Sequence, residues 1–273
     1  MTALGECVID LSQVPGASDR TMTSNAPGGF DELAGGRIDL AREAIHKERD
    51  ALLHAKVRSI DYFAMPWRSP IPYGDGESLT ASELRDLAGR AREVTPHEHR
   101  RDESTPLGPF ARALGEYVIY FGQVDEAVLV LSNHVESASP EGRVYLQDWL
   151  QAEAKVDREK IPTGQLGAKV TDLILGTLDS DSVTQARARD VLLDLEPRVS
   201  RVIRERNALV HRELGSIDHL AATDGNGVRL VDGRMLTASN LRSRSVRARS
   251  VTFELRAFLW RFVRARKSVA GSR

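Results

Sequence analysis

Residues 110–135 read FARALGEYVIYFGQVDEAVLVLSNHV, and this stretch decides the fold that the sequence predicts. Its apolar residues recur at alternating steps of four and three, which keeps them on one face of a helix for seven turns. They are Phe110, Leu114, Tyr117, Phe121, Val124, Val128, Leu131 and Val135. Such a stripe is typical of a long helix packed inside a helical bundle. We therefore expect a helix over about 108–136 in an all-α protein.

Further helices are predicted on both sides of this one. Apolar spacing and capping residues place them at about 36–60, 82–94, 141–159, 162–178, 181–196, 197–214 and 250–266. Pro197 is expected to begin a new helix, because proline inside a helix removes a backbone donor. The stretch VRLVDGRML (228–236) predicts a short β-hairpin with an Asp232–Gly233 turn. The expected architecture is a bundle of up-and-down helices with one small hairpin before the last helix.

The N-terminal part is predicted to be less regular than the rest. Residues 1–36 are rich in Gly, Ser, Thr and Pro without an apolar period, which is typical of a loose tail. The charged, proline-bounded stretch at 95–106 is the expected linker. We therefore divide the chain into a partly irregular helical segment, 1–104, and a helical domain, 105–273.

Composition favours a cytoplasmic protein. Hydrophobic residues make up 41% of the chain and charged residues 28%, which is ordinary for soluble globular proteins. The N-terminus does not resemble a signal peptide, and no apolar run reaches the ~18 residues of a transmembrane helix. No membrane association is therefore expected. The single Cys7 cannot form an internal disulfide, so a reducing compartment is expected. Cys7 itself is expected to be unreactive, because no basic residue flanks it.

Charge is distributed unevenly along the chain. Residues 227–273 hold 12 Lys/Arg and 2 Asp/Glu, whereas the remaining residues hold 26 and 37. A basic block of this size attracts phosphate backbones, but it is also typical of a solvated helix face. The candidate RNA-binding residues are Arg242, Arg244, Arg247 and Arg249.

The stretch RERNALVHRELG, residues 204–215, carries the strongest candidate for chemistry. At 100° per residue, Arg206 falls between Val202 and Ile203 on the apolar face of its helix. A guanidinium placed there needs a carboxylate or a ligand phosphate, because burying a lone charge costs several kcal/mol. Asp125, at the edge of the stripe on the long helix, is the expected partner.

Asn207 and His211 lie one helical turn apart, so their side chains are expected to meet. His211 is also close to the helix end at Gly215, where the helix dipole favours a protonated imidazole that can donate a proton. A phosphate clamp and an acid–base group are what RNA cleavage by its own 2′-hydroxyl requires. The alternative is structural: Arg206 pairs with Asp125, His211 caps the helix and Asn207 is a surface residue.

Arg-x4-His is a short pattern that chance alone produces roughly once in a chain of this composition. A second match, ERDALLH (48–54), is nearly the same string, and we expect Arg49, Asp50 and His54 to be structural because the helix runs on past His54. A third, Arg92 to His97, spans a proline and is set aside. The two histidines of HEH (97–99) have no further ligands nearby, so no metal and no cofactor are expected.

Residues 106–266 resemble the HEPN superfamily (higher eukaryotes and prokaryotes nucleotide-binding). The resemblance rests on Arg206–Asn207–x3–His211, on FGQVDEAV (121–128) in the long helix, and on IPTGQLGAKVTDLI (161–174). It differs at Arg212, where relatives often carry a glycine.

The resemblance implies a helical bundle that acts as a metal-independent endoribonuclease. Arg206, Asn207 and His211 would form the active site, with Asp125 as a supporting acid. It also implies a homodimer, a role as a toxin or in antiviral defence, and a cognate antitoxin or regulatory protein as a partner. The competing hypothesis is a helical dimerisation or binding module whose basic segment contacts nucleic acid or protein.

Overall fold

The computed structural model describes residues 1–15, 32–57, 71–73, 77–96, 107–138, 167–168, 170–172, 174–175, 183–218 and 225–270. The helices are α1 (Thr2–Ser12), α2 (Glu32–Asp50), α3 (Ala81–Val94), α4 (Gly108–Ala138), α5 (Val183–Ala208) and α6 (Ala238–Ala270). Two antiparallel hairpins pair β1 (Ile71–Tyr73) with β2 (Glu77–Leu79) and β3 (Gly227–Arg229) with β4 (Met235–Thr237). The prediction of an all-α protein with a small hairpin before the last helix is confirmed.

The long helix expected at 108–136 is α4. The stripe residues whose side chains the structure describes are all buried, with exposures between 0% for Phe110 and 4% for Phe121 and Leu131. The spacing of four and three therefore marks a face that packs against other elements, as a bundle helix requires.

The N-terminus differs from the expected loose tail. Residues 2–12 form α1, and Leu4, Val8 and Leu11 on one of its faces are 0% exposed. The prediction was wrong because it rested on the composition of residues 1–36 as a whole, and most of their Gly, Ser, Thr and Pro residues follow α1. Gly5 within α1 allows close helix packing. A Cβ atom at Gly5 would lie 2.6 Å from the carbonyl carbon of Ala111 on α4.

Pro197 does not begin a new helix. α5 runs without interruption from Val183 to Ala208 and contains this proline. Leu192 and Leu195 before it and Val199 and Val202 after it are all buried, so one apolar face continues across the proline. Packing of that face offsets the backbone hydrogen bond that proline removes.

The last helix begins earlier than the expected residue 250. α6 starts at Ala238, because Thr237 caps it: the Thr237 Oγ1 accepts from the backbone N–H of Asn240 at 3.2 Å. The arginines 242, 244, 247 and 249 therefore lie on a helix rather than before one. Their helical spacing decides which of them contact other elements.

The hairpin expected at 228–236 is confirmed by β3 and β4. Val228 pairs with Leu236, and Gly233 in the turn has a φ of 83°, which glycine adopts without strain. The Asp232 carboxylate accepts from the backbone N–H of Arg234 at 3.0 Å. The hairpin β1–β2 was not predicted.

Several expectations fall wholly or partly outside the described residues. They include the helix at 141–159 and all of the linker 95–106 except residues 95–96. In the region of the expected helix 162–178, the described residues 167–168, 170–172 and 174–175 are helical. Along the parts of the chain that the structure describes, no helix is both long and apolar enough to cross a membrane.

The chain forms two compact units, each built from two segments. Unit 1 comprises Met1–Gly122 and Asn207–Ser245, and unit 2 comprises Gln123–Arg206 and Val246–Arg273. The predicted division at 104–105 therefore lies within unit 1. The core of unit 1 draws on α1, α3, the first half of α4 and the second hairpin.

Candidate functional site

The candidate motif lies where a helix changes its winding. α5 ends at Ala208 and continues as a π-helical turn, Leu209–Glu213, followed by a 3-10 turn, Leu214–Ser216. The backbone N–H of Leu214 donates to the carbonyl of Leu209, five residues back. Single π-turns of this kind are rare and are frequent at functional sites. His211 is inside the π-turn.

The π-turn changes the geometry expected between Asn207 and His211. A turn closed after five residues does not align side chains four residues apart as an α-helix does. Asn207 is exposed and belongs to unit 1, as does the backbone of His211. The expected contact between the Asn207 and His211 side chains therefore stays a prediction.

Arg206 and Asp125 are both buried members of unit 2. Arg206 is 8% exposed and Asp125 is 5% exposed. The prediction that Arg206 falls on an apolar face is confirmed, since its neighbours Val202 and Ile203 are also buried. A guanidinium at this depth requires an acceptor. That Asp125 is this acceptor stays a prediction.

Two of the four candidate RNA-binding arginines hold carboxylates next to the motif. The Arg244 Nη1 donates to the Glu213 Oε2 at 2.8 Å, and the Arg247 Nη2 donates to the Glu205 Oε1 at 3.0 Å. Each carboxylate cancels most of its arginine's attraction for phosphate. Arg242 and Arg249 are exposed on α6.

These two glutamates are the residues that the sequence analysis missed. Glu205 directly precedes Arg206, and Glu213 closes the π-turn. Their signal was visible, because acids at both ends of RERNALVHRE stand out against the basic C-terminal segment. The ion pairs fix α6 to α5 on one side of the motif and to the π-turn on the other.

The string ERDALLH also lies on a change from α to π winding. α2 ends at Asp50 and continues as a π-turn, Ala51–Lys56, so helical winding runs on past His54 as expected, but as a π-helix. Arg49 donates to the neighbouring Asp50 carboxylate through Nε at 3.2 Å and through Nη2 at 3.1 Å. Arg49 therefore has a carboxylate partner next to it in the chain.

A pocket in unit 2 is mainly apolar. Val128, Leu131 and Val170 line it together with Glu196 and Ser200, which hydrogen-bond each other at 2.8 Å. Arg206 and Asp125 are not among its lining residues. The pocket therefore gives no support to the candidate chemistry.

Cys7 is buried on α1 at 0% exposure. Burial and the nearby Asp10 raise the pKa of its thiol to about 12, so the reactive thiolate is scarce at neutral pH. This agrees with the expectation that Cys7 is inert. Among the described residues, no three His, Cys, Asp or Glu side chains lie close enough to hold a metal ion.

Comparison with protein-family models, with curated proteins and with solved structures finds no match to this chain.

Proposed function

We propose that this chain is an endoribonuclease of the HEPN type that cleaves RNA without a metal. The observation that carries the proposal is the position of Arg206–Asn207–x3–His211 on an α-to-π transition. Single π-turns within helices are rare, and they recur at functional sites. The exposed Asn207 gives a substrate access to this segment.

The proposed chemistry uses the RNA's own 2′-hydroxyl. Its oxygen bonds to the adjacent phosphorus while the bond from phosphorus to the 5′-oxygen breaks. His211 takes the 2′-hydroxyl proton and returns a proton to the leaving 5′-oxygen. Arg206 stabilises the charge on the phosphorane, and Asn207 orients the substrate. The products are a 2′,3′-cyclic phosphate and a 5′-hydroxyl.

RNA would reach the site along α6, where Arg242 and Arg249 are exposed. Because its motif resembles that of the HEPN superfamily, the protein would act as a toxin or an antiviral effector, with a cognate antitoxin or regulatory protein as a partner. Arg206 must gain access to the phosphate from its buried position, so substrate binding would draw this side chain toward solvent.

Cleavage in EDTA tests the proposal. Wild type should cut mixed-sequence RNA and leave DNA intact, because DNA lacks the attacking hydroxyl. His211→Ala should abolish cleavage. Arg206→Ala should lower it by about 100-fold or more, the usual loss when a group that stabilises transition-state charge is removed. The matched control is Arg204→Ala, an exposed arginine on the same helix, which should cut like wild type. Cleavage of DNA, or full activity in His211→Ala, would contradict the mechanism.

The burial of Arg206 and Asp125 favours a second candidate function, a binding module in which the two form a structural ion pair. Removing one member of a buried pair costs about 3–5 kcal/mol. In that case Asp125→Asn should destabilise the fold strongly, and wild type should bind RNA without cutting it. A stable Asp125→Asn variant would count against the module.

A further inference from the structure

The sequence of this chain repeats itself. Residues 3–14, ALGECVIDLSQV, match residues 113–124, ALGEYVIYFGQV, at 8 of 12 positions. Residues 48–94 match residues 205–251 without a gap at 21 of 47 positions. The matches include LTASELR (79–85) against LTASNLR (236–242) and RAREV (90–94) against RARSV (247–251). The segment between the two matching blocks is 33 residues long in the first copy and 80 in the second.

The two copies fold into the same elements in the same order. Each has a first helix (α1 or α4), a second helix (α2 or α5), a π-turn, a hairpin and a last helix (α3 or α6). The five-residue hydrogen bond of each π-turn joins matching positions, Val57 to Leu52 and Leu214 to Leu209. The hairpins share one register, since Ile71 pairs with Leu79 where Val228 pairs with Leu236.

The polar contacts of the copies match as well. Thr80 caps α3 as Thr237 caps α6, each through Oγ1 to the backbone N–H three residues on. Glu48 accepts from Arg90 at 2.6 Å in unit 1, and the matching Glu205 accepts from the matching Arg247 at 3.0 Å in unit 2. Residues at matching positions thus form corresponding hydrogen bonds, so the repeat extends from the sequence to the structure.

Within unit 1, the copies pack by reciprocal contacts. A Cβ at Gly5 would collide with the carbonyl of Ala111, and a Cβ at Gly115 would collide with the carbonyl of Met1. Gly115 is the counterpart of Gly5, and Ala111 is the counterpart of Met1. Each contact is therefore the other with the copies exchanged, which is the signature of a two-fold interface.

A second pair of contacts joins corresponding regions of the two copies. Gly122 on α4 lies against Val57, just after the first π-turn, where a Cβ would be 2.8 Å from the Val57 oxygen. Its counterpart Ser12 on α1 lies near Gly215, one residue past the counterpart of Val57, where a Cβ would be 3.6 Å from the Ser12 carbonyl oxygen. The first helix of each copy thus supports the π-turn of the other copy.

We propose that this chain is a tandem duplication folded as an internal pseudo-dimer, in which Arg49, Asp50 and His54 form a second RNA site equivalent to Arg206, Asn207 and His211. One chain then supplies both motifs, and a second chain is not needed to complete the pair. The RNA-binding part of this inference rests on the proposed function; the duplication does not.

The two sites are not equal, and the difference is one side chain. In the first copy the Asp50 carboxylate accepts two hydrogen bonds from Arg49 and offsets its charge. The second copy has a neutral Asn207 at the matching position. At this position the second motif therefore carries one negative charge fewer than the first, so we expect a phosphate to bind more strongly at the second motif.

Exchanging the two side chains tests this in the full-length protein. Asp50 and Asn207 are both exposed, so the substitutions leave the core intact. The probe is mixed-sequence 2′-O-methyl RNA, which cannot be cut because its attacking oxygen is blocked. Asp50→Asn should tighten binding severalfold, and Asn207→Asp should weaken it severalfold. Arg49→Ala should weaken binding, whereas Arg37→Ala, an exposed arginine on α2, should not.

Two further readouts separate this inference from the proposed function. Light scattering should find the RNA-binding species at the mass of one chain, 30.1 kDa. If binding responds to both sites but wild type cuts no RNA, the duplicated site stands and the ribonuclease fails. If wild type cuts RNA and changes at residues 49, 50 and 54 alter neither binding nor cleavage, the second site is refuted. A requirement for two chains would overturn the internal pair.

Discussion

Replacing Gly5 with alanine should destabilise the protein through a backbone collision. The new Cβ would overlap the carbonyl oxygen of Ala111, so α1 and α4 must separate by about 1.6 Å to bring that oxygen to an ordinary contact of 3.4 Å. Overpacking of this kind costs about 1–3 kcal/mol or more. Alanine contributes a helix-propensity gain of ~1 kcal/mol in the opposite direction. Because both colliding groups are backbone, the net loss should be about 2 kcal/mol.

Urea unfolding followed by circular dichroism measures this loss. The matched control is Gly89→Ala on α3, where a Cβ meets no atom within 4 Å, so the propensity gain should stabilise that variant by ~1 kcal/mol. Gly115→Ala should also destabilise the protein, because its Cβ would collide with the backbone carbonyl of Met1. Gly5→Ala as stable as wild type would refute the close crossing of α1 and α4.

Three further predictions concern buried and paired side chains. Cys7 should react with a thiol reagent at pH 8 only after urea unfolding, because burial raises its pKa to about 12; rapid labelling of the native protein would contradict this. Glu213→Gln should lower the free energy of unfolding in urea by about 1–3 kcal/mol, because it removes the carboxylate that pairs with the half-buried Arg244. Glu116→Gln, in an exposed pair, should lower it by at most ~1 kcal/mol. The hydrogen bond from Arg198 holds the pKa of Glu254 in the folded protein below its usual value. The pair therefore stabilises the fold at pH values above the pKa of an unfolded glutamate, about 4.3. This contribution is lost as the pH falls through the lower pKa that Glu254 has in the folded protein. Because the pair is partly exposed, the free energies of unfolding of Glu254→Gln and wild type should differ by under ~1 kcal/mol at pH 7 and become equal in acid. A difference that grows in acid would contradict the predicted direction of the pH dependence.

Elements with a strong local signal were predictable from the sequence. The stripe from Phe110 to Leu131 specifies α4, and Asp232–Gly233 specifies the turn of the second hairpin. Both signals act within a few residues, so no knowledge of distant contacts is needed. The burial of Arg206 followed from helical spacing in the same way.

Elements that depend on distant contacts were not predictable locally. α1 is short and contains Gly5, whose value appears only when Ala111 packs against it. The continuity of α5 through Pro197 depends on apolar partners for both of its halves. The π-turns have no simple sequence period, since their bonds join residues five apart.

The internal repeat of the sequence predicts elements that the local patterns do not. The match of ALGECVIDLSQV to ALGEYVIYFGQV would have predicted α1 from the strong stripe of α4. The match of 48–94 to 205–251 would have predicted the first hairpin and the start of α6 at a capping threonine. It would also have identified ERDALLH as the counterpart of ERNALVH, and therefore as an equal candidate site.

The most direct test of the ribonuclease is the chemistry of its product ends. Wild type and His211→Ala would be incubated in EDTA with two pools of one mixed sequence, unmodified RNA and 2′-O-methyl RNA, and the products analysed by mass spectrometry. Wild type should give 2′,3′-cyclic phosphates and 5′-hydroxyls from the unmodified pool alone, and His211→Ala should give none. Cleavage of the methylated pool, 5′-phosphate products, or intact RNA with wild type would contradict the account.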